Sequence, residues 1–136
     1  MKIAEITSRT ASLNHSVDGG SLEGYVVDSD QPQLTNYLES QGAAPAVVSA
    51  IKSKYKRVGI IRNMYVDEDQ RGQGIGNDLV SGAIDTAAES GADAVVLVSD
   101  SAEDNAMDLT AWYEGFGFEV VGQAGGDPVM VMELWK

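Results

Sequence analysis

Ile60-Ile61-Arg62-Asn63-Met64-Tyr65-Val66-Asp67-Glu68-Asp69-Gln70-Arg71-Gly72-Gln73-Gly74-Ile75-Gly76 reads as a strand running into a glycine-punctuated turn that opens a helix. Alternating glycines there bare successive backbone N–H groups at a helix N-terminus, which favours an anionic ligand. Two phosphate motifs fail on spacing. The dinucleotide fingerprint G-x-G-x-x-G, started at Gly72, requires glycine where Asn77 stands; started at Gly74, it requires glycine where Leu79 stands. The P-loop requires a lysine after its second glycine, and none occurs between Lys56 and Lys136. Nucleotide hydrolysis and Rossmann redox chemistry are set aside.

Working outward, 58–66 is a strand whose alternation puts Ile60, Met64 and Val66 on one face and Ile61, Asn63 and Tyr65 on the other. Both faces are largely apolar, so the strand is internal to a sheet. The helix from about Gly74 aligns Ile75, Leu79, Ala83 and Ala87, with Val80, Ile84 and Ala88 beside them, and Gly91 caps its end. The run 94–98 has the composition of a buried parallel strand. A second helix, about Asn105 to Gly115, buries Leu109, Tyr113 and Phe116, and a hairpin then turns at Gly125-Gly126-Asp127. Upstream, 2–7, 12–17 and 22–27 are strand candidates, the last two joined across Asp18-Gly19-Gly20. Two short helical stretches follow, one opened by Pro32 with Leu34, Tyr37 and Leu38, one by Pro45 with Val47, Val48 and Ile51. The second ends in a solvated basic cluster, Lys52, Lys54, Lys56 and Arg57. This order specifies an α/β fold on a mixed sheet.

At 136 residues, the chain is expected to form one domain over 1–136. It holds no cysteine and one histidine, His15, which excludes disulfides, thiol nucleophiles and His- or Cys-based metal sites. Charge is uneven: residues 1–71 carry 8 basic and 9 acidic side chains, whereas residues 72–136 carry Lys136 alone against 12 acids. Such a field disfavours nucleic acid and anionic membranes and favours a cationic partner; plain solubility explains it equally well. Neither an apolar run of about 18 residues nor a signal-like N-terminus is present, so a cytoplasmic location is expected.

Arg71-x-x-Gly74-x-Gly76, preceded by Tyr65-Val66, resembles the signature of the GNAT N-acetyltransferase superfamily, whose Arg/Gln-x-x-Gly-x-Gly/Ala loop cradles the pyrophosphate of acetyl-CoA. Downstream, Trp112-Tyr113-Glu114-Gly115-Phe116-Gly117-Phe118 resembles the family's aromatic-Tyr-x-x-x-Gly-Phe segment, and the resemblance covers roughly residues 58 to 134. It implies a mostly antiparallel central sheet flanked by helices and direct transfer of acetyl from acetyl-CoA to a primary amine. The acceptor is then a small cationic amine or a protein or peptide amine, no metal takes part, and a homodimer is a common family state. Arg71, Gly72, Gln73, Gly74, Ile75, Gly76 and Asn77 would hold the pyrophosphate, and backbone groups of Met64, Tyr65 and Val66 the pantetheine arm and thioester. Tyr113 would serve as general acid and Asp100, near the end of the strand before the tyrosine helix, as general base. Asn105 would contact the cofactor, although the family's asparagine stands seven residues before the tyrosine, at Ala106 here.

Each assignment has a structural rival. Arg71 also suits an ion pair with Asp67, Glu68 or Asp69, and Tyr113 suits packing of its helix on the sheet with Trp112 and Phe116. Asp100, Glu103 and Asp104 suit helix capping, as does Asn105. A basic side chain of the 52–57 cluster reaching the 3′-phosphate of CoA is a further reading. The competing function is a non-catalytic acyl-CoA-binding or protein-interaction module on the same fold.

Overall fold

The computed structural model describes residues 10–67, 74–99 and 109–134. A seven-stranded mixed sheet runs in the order β1-β3-β4-β5-β7-β6, with β2 also pairing β3. The strands are β1 (Ala11–Ser12), β2 (His15–Val17), β3 (Gly20–Asp28), β4 (Arg57–Val66), β5 (Ala94–Val98), β6 (Glu119–Ala124) and β7 (Asp127–Glu133). Among the described residues only β4 and β5 run parallel; every other pairing is antiparallel. The expected strand over 2–7 lies outside the described residues.

Helices α1 (Pro32–Ser40) and α2 (Pro45–Lys54) each carry proline in the first turn, where its missing N–H has no intrahelical role. They cover one face of the sheet, burying Leu34, Tyr37, Leu38, Val48 and Ile51 against Val27, Val58, Ile60, Val96 and Val131. Helix α3 (Ile75–Glu89) covers the other face, where Leu79, Val80, Ala83 and Ala87 meet Leu22, Val26, Ile61, Val95 and Leu97. Gly91, at φ 83°, ends α3 as the sequence predicts, and the Ala92 N–H reaches back to the Ala87 carbonyl. Helix α4, described over Leu109–Glu114, lies on the α3 face and buries Tyr113 beside Phe118.

One sequence expectation is overturned, and it matters for the site. In the β3–β4 register Gly24 faces Ile61 but Glu23 faces Asn63, so Arg62 is an extra residue, a β-bulge. A single inserted residue exchanges the faces of everything after it. Ile60 therefore faces α1 and α2, whereas Met64 and Val66 pack with Ile61 on the α3 side. The opposing strand accommodates the bulge through Gly24, where a Cβ would collide with the Ile60 carbonyl oxygen. On the far side of β3, the Asn14 side chain accepts the Gly24 N–H at 3.0 Å, bridging the interruption between β1 and β2.

The basic cluster divides: Lys52, Lys54 and Lys56 are exposed, as expected of a solvated helix end, whereas Arg57 opens β4. Arg57 is buried, its guanidinium 3.0 Å from Asp28 and donating to the Ser90 carbonyl at 2.8 Å. The Asp93 carboxylate accepts the backbone N–H groups of Lys56 and Arg57. Lys54 pairs with Glu133 at 3.0 Å, and Tyr55 donates to the same carboxylate at 2.7 Å. Glu133 is held below the usual carboxylate range by these two partners, Tyr55 first. This group surrounds the N-terminal end of β4, the full length of that strand from the glycine turn.

Candidate active site

Strands β4 and β5 pair from Val58 to Ile61 and no further. Beyond the bulge, 62–66 is held in the sheet by β3, while β5 follows β7. The two parallel strands thus part into a fork. Its vertex is closed by a side chain: the Tyr37 hydroxyl of α1 donates to the Ile61 carbonyl at 3.2 Å and accepts the Val98 N–H at 3.1 Å. One phenol stands in the rung where a direct backbone bond would otherwise join the strands. Burial pushes the Tyr37 hydroxyl up to about 12, partly offset by the Val98 N–H. It stays neutral and keeps both roles throughout the physiological range.

Removing that oxygen leaves the Val98 N–H and the Ile61 carbonyl without their bridge. A buried polar group stripped of its partner costs about 1–3 kcal/mol. Tyr37→Phe is therefore expected to lower unfolding stability by about that amount, read as a shift in denaturant midpoint at constant slope. An unchanged midpoint would show that the strands re-form the rung directly.

On the α3 face, Tyr113 is buried and meets Trp112 and Phe118 edge-on, at centroid distances of 5.0 and 5.8 Å. Its hydroxyl is pushed up to about 12, by burial first and then by the neighbouring Tyr37 phenol. The two phenols thus approach the fork from opposite faces of the sheet. The ring makes the packing contacts and the oxygen remains protonated, so packing leaves the hydroxyl's proton in place.

The glycine turn enters α3 as the sequence predicts. Gly74 is the N-cap at φ 85°, a left-handed conformation that penalises any Cβ, and a side chain there would face open space. The first intrahelical bond runs from the Asp78 N–H to the Gly74 carbonyl, so the N–H groups of Ile75, Gly76 and Asn77 precede the helical ladder. Gly76 has a different constraint: a Cβ would lie 3.3 Å from the Trp112 ring, which ties the helix start to α4. Ile75 is half-buried over Gly20, and Asn77 is exposed. Met64 and Val66 are half-buried, while Tyr65 is 55 % exposed on the opposite face, a consequence of the bulge. Arg71, Gly72, Gln73, Asp100 and Asn105 lie outside the described residues. Among the described residues no cluster suits a metal ion, and no helix is long and apolar enough to cross a membrane.

Sequence reasoning missed Tyr37 and the bulge at Arg62. Tyr37 sits at helical spacing with Leu34 and Leu38, so its ring reads as core and nothing local reports where its oxygen goes. The bulge has a faint signal in Gly24, a glycine inside a strand pattern.

The comparisons agree with this fold. The family pattern of the Acetyltransferase (GNAT) domain matches residues 25–120. An agmatine N-acetyltransferase mutant in its apo form shares the fold at a TM-score of 0.61 and 13% identity, covering 85% of this chain and 69% of its own. PaiA N-acetyltransferase from Thermoplasma acidophilum, in complex with coenzyme A, gives 0.60 and 14%, covering 98% and 67%. The anti-CRISPR protein AcrVA5 gives 0.56 and 19%, covering 93% of this chain and 99% of that one. The chain spans 52% of the length of the chain it matches in the NatC complex bound to Gag peptide and CoA. No curated protein matches the sequence. With the forked strand pair, the glycine-capped α3 and a family match over most of its length, the chain belongs to the GNAT acetyltransferase family.

Proposed function

We propose that the protein is an acetyl-CoA-dependent N-acetyltransferase acting on a primary amine. The observation that carries this reading is the fork. Past Ile61, β4 offers backbone to the gap rather than to β5, and the start of α3 and the Tyr113 phenol stand on one face of the sheet beside it. Acetyl-CoA, when bound, supplies an activated thioester. The α3 N–H groups from Ile75 to Asn77 would hold its phosphates, with Gly74 and Gly76 keeping side chains out of the way. The 62–66 backbone would hydrogen-bond the pantetheine arm and steady the thioester carbonyl. Tyr113 would donate a hydrogen bond to the sulfur. In balance, an N–C bond forms as the C–S bond breaks, sulfur takes the electron pair, and the proton shed by the amine replaces the one given to sulfur. An acceptor that arrives as an ammonium ion is favoured by the acidic field of residues 72–136, and Asp100 remains the proposed base.

Free-thiol release in the presence of acetyl-CoA and a panel of amines tests the activity, beside thermal-shift titration with CoA. Turnover on at least one amine is expected, together with stabilisation by CoA. Gly74→Val, which places a branched side chain at positive φ, is expected to abolish the CoA-induced shift. Stabilisation by CoA without turnover on any amine would favour the binding-module reading instead.

A further inference from the structure

Beside the fork, on the α1 face, lies a cavity of about 250 Å³ lined by Tyr25, Asn36, Tyr37, Ser40, Gln41 and Arg62. This is below the roughly 300–1,000 Å³ of a drug-sized site, so its occupant is a small metabolite or the tip of a larger one. Tyr37 connects it to the fork, because the residue that lines the cavity also sets its hydroxyl at the fork vertex. The wall bearing Gln41 is fixed from behind. Gly42 packs on Gly125, and an isolated bridge joins Ala43 to Ala124, so the β6–β7 turn braces the α1–α2 connection.

The lining has a definite chemistry. Among the described residues it offers two carboxamides, a serine hydroxyl and two phenols, with Arg62 as the one charged group and no carboxylate. The Arg62 guanidinium lies over the Tyr25 ring, 5.8 Å from the centroid, which steadies its direction. Neither described ion pair uses Arg62. Glu23 faces the same side, opposite Asn63, but stands outside the lining. Arg62 is also on the wrong face for cofactor phosphate: the sheet separates it from the α3 N-terminus, where Ile75 packs with Met64 and Val66. It is the bulge residue, so the irregularity that opens the fork also aims the one cation into the cavity.

We infer that this cavity receives the acceptor and that Arg62 selects an amine that also carries a carboxylate, of amino-acid or short-peptide type. The inference rests on the acetyl-transfer reading above and narrows its acceptor. A guanidinium binds a carboxylate through two parallel hydrogen bonds, which fixes orientation as well as position. The same charge repels a polyamine at close range, where the distant acidic field is screened. A zwitterion satisfies both: its ammonium end is drawn by the field, and its carboxylate is taken by Arg62.

Matched pairs differing only by the carboxylate test this, namely lysine against cadaverine and phenylalanine against phenethylamine. With acetyl-CoA the carboxylated member is expected to show a kcat/KM about tenfold or more higher, the worth of a charge-assisted pair. Arg62→Gln should bring that ratio close to one, and Arg62→Lys should keep part of it. Calorimetric titration of the acetylated products, N-acetylphenylalanine against N-acetylphenethylamine, needs no turnover and expects the same discrimination and the same loss in Arg62→Gln. Equal or reversed preference, or a ratio indifferent to Arg62→Gln, would overturn the inference while leaving acetyl transfer standing. If no amine is turned over, the acetyl-transfer reading falls, and the titration alone decides whether the cavity binds carboxylates. If Arg62→Gln weakens CoA binding and leaves the products untouched, Arg62 serves a cofactor phosphate and the inference is wrong.

Discussion

Tyr113→Phe is expected to lower kcat by about 10²-fold or more, the usual worth of a positioned proton donor, while CoA affinity and folding stability stay near those of the parent. The asymmetry follows from how the side chain is used. Its ring makes the edge-on contacts with Trp112 and Phe118, and phenylalanine keeps them. Only the oxygen is lost, and among the described residues no hydrogen bond holds it. Burial has pushed that hydroxyl up to about 12, against about 8.5 for a thiol. Full proton transfer to a departing thiolate is therefore uphill for the phenol alone, and it is completed only as the phenol is reprotonated by the proton that the nitrogen sheds once the neutral amine has attacked. Two pH consequences follow, the first of which distinguishes this from packing. The alkaline fall in kcat/KM due to Tyr113 should come near pH 12 and vanish in the variant. Between pH 10 and 12 the unfolded chain loses this proton first, so stability falls as pH rises through that window, and Tyr113→Phe should flatten that part of the curve. Unchanged turnover in Tyr113→Phe would leave packing as the residue's only role.

The chain's layers were legible because periodicity reports them directly. Leu79, Ala83 and Ala87 recur at helical spacing and do face the sheet; Pro32, Pro45 and Gly91 mark helix ends where they occur. The glycine turn was legible for the same reason, since positive φ at Gly74 needs a residue without Cβ. What alternation could not show was where alternation breaks. The bulge at Arg62 leaves no local mark on β4, so Met64 and Val66 were expected beside Ile60 and are found beside Ile61. Polar atoms that act across the fold escaped for a related reason. The Tyr37 oxygen meets groups 24 and 61 residues away, and no spacing rule on α1 points to them.

The bulge makes Gly24 the strongest test of the architecture. Gly24→Ala is expected to destabilise the protein by about 3 kcal/mol, the upper part of the range for forcing atoms into a closed contact. The new Cβ would overlap the Ile60 carbonyl oxygen, a backbone atom that cannot swing aside as a flexible side chain would. Relief comes only by moving β4 off β3 or by expelling the bulge. Expulsion restores simple alternation and turns Met64 and Val66 toward α1, Asn63 and Tyr65 toward α3. The backbone lining the fork then presents the wrong residues, so the CoA-induced thermal shift should shrink along with stability. Gly82→Ala is the control. That glycine lies within α3 with open space around its missing Cβ, and alanine there should stabilise by about 0.5–1 kcal/mol. Denaturant unfolding of the two variants beside the parent separates the cases. A Gly24→Ala protein as stable as Gly82→Ala would mean that β4 carries no bulge, and the fork at Ile61 would need another cause.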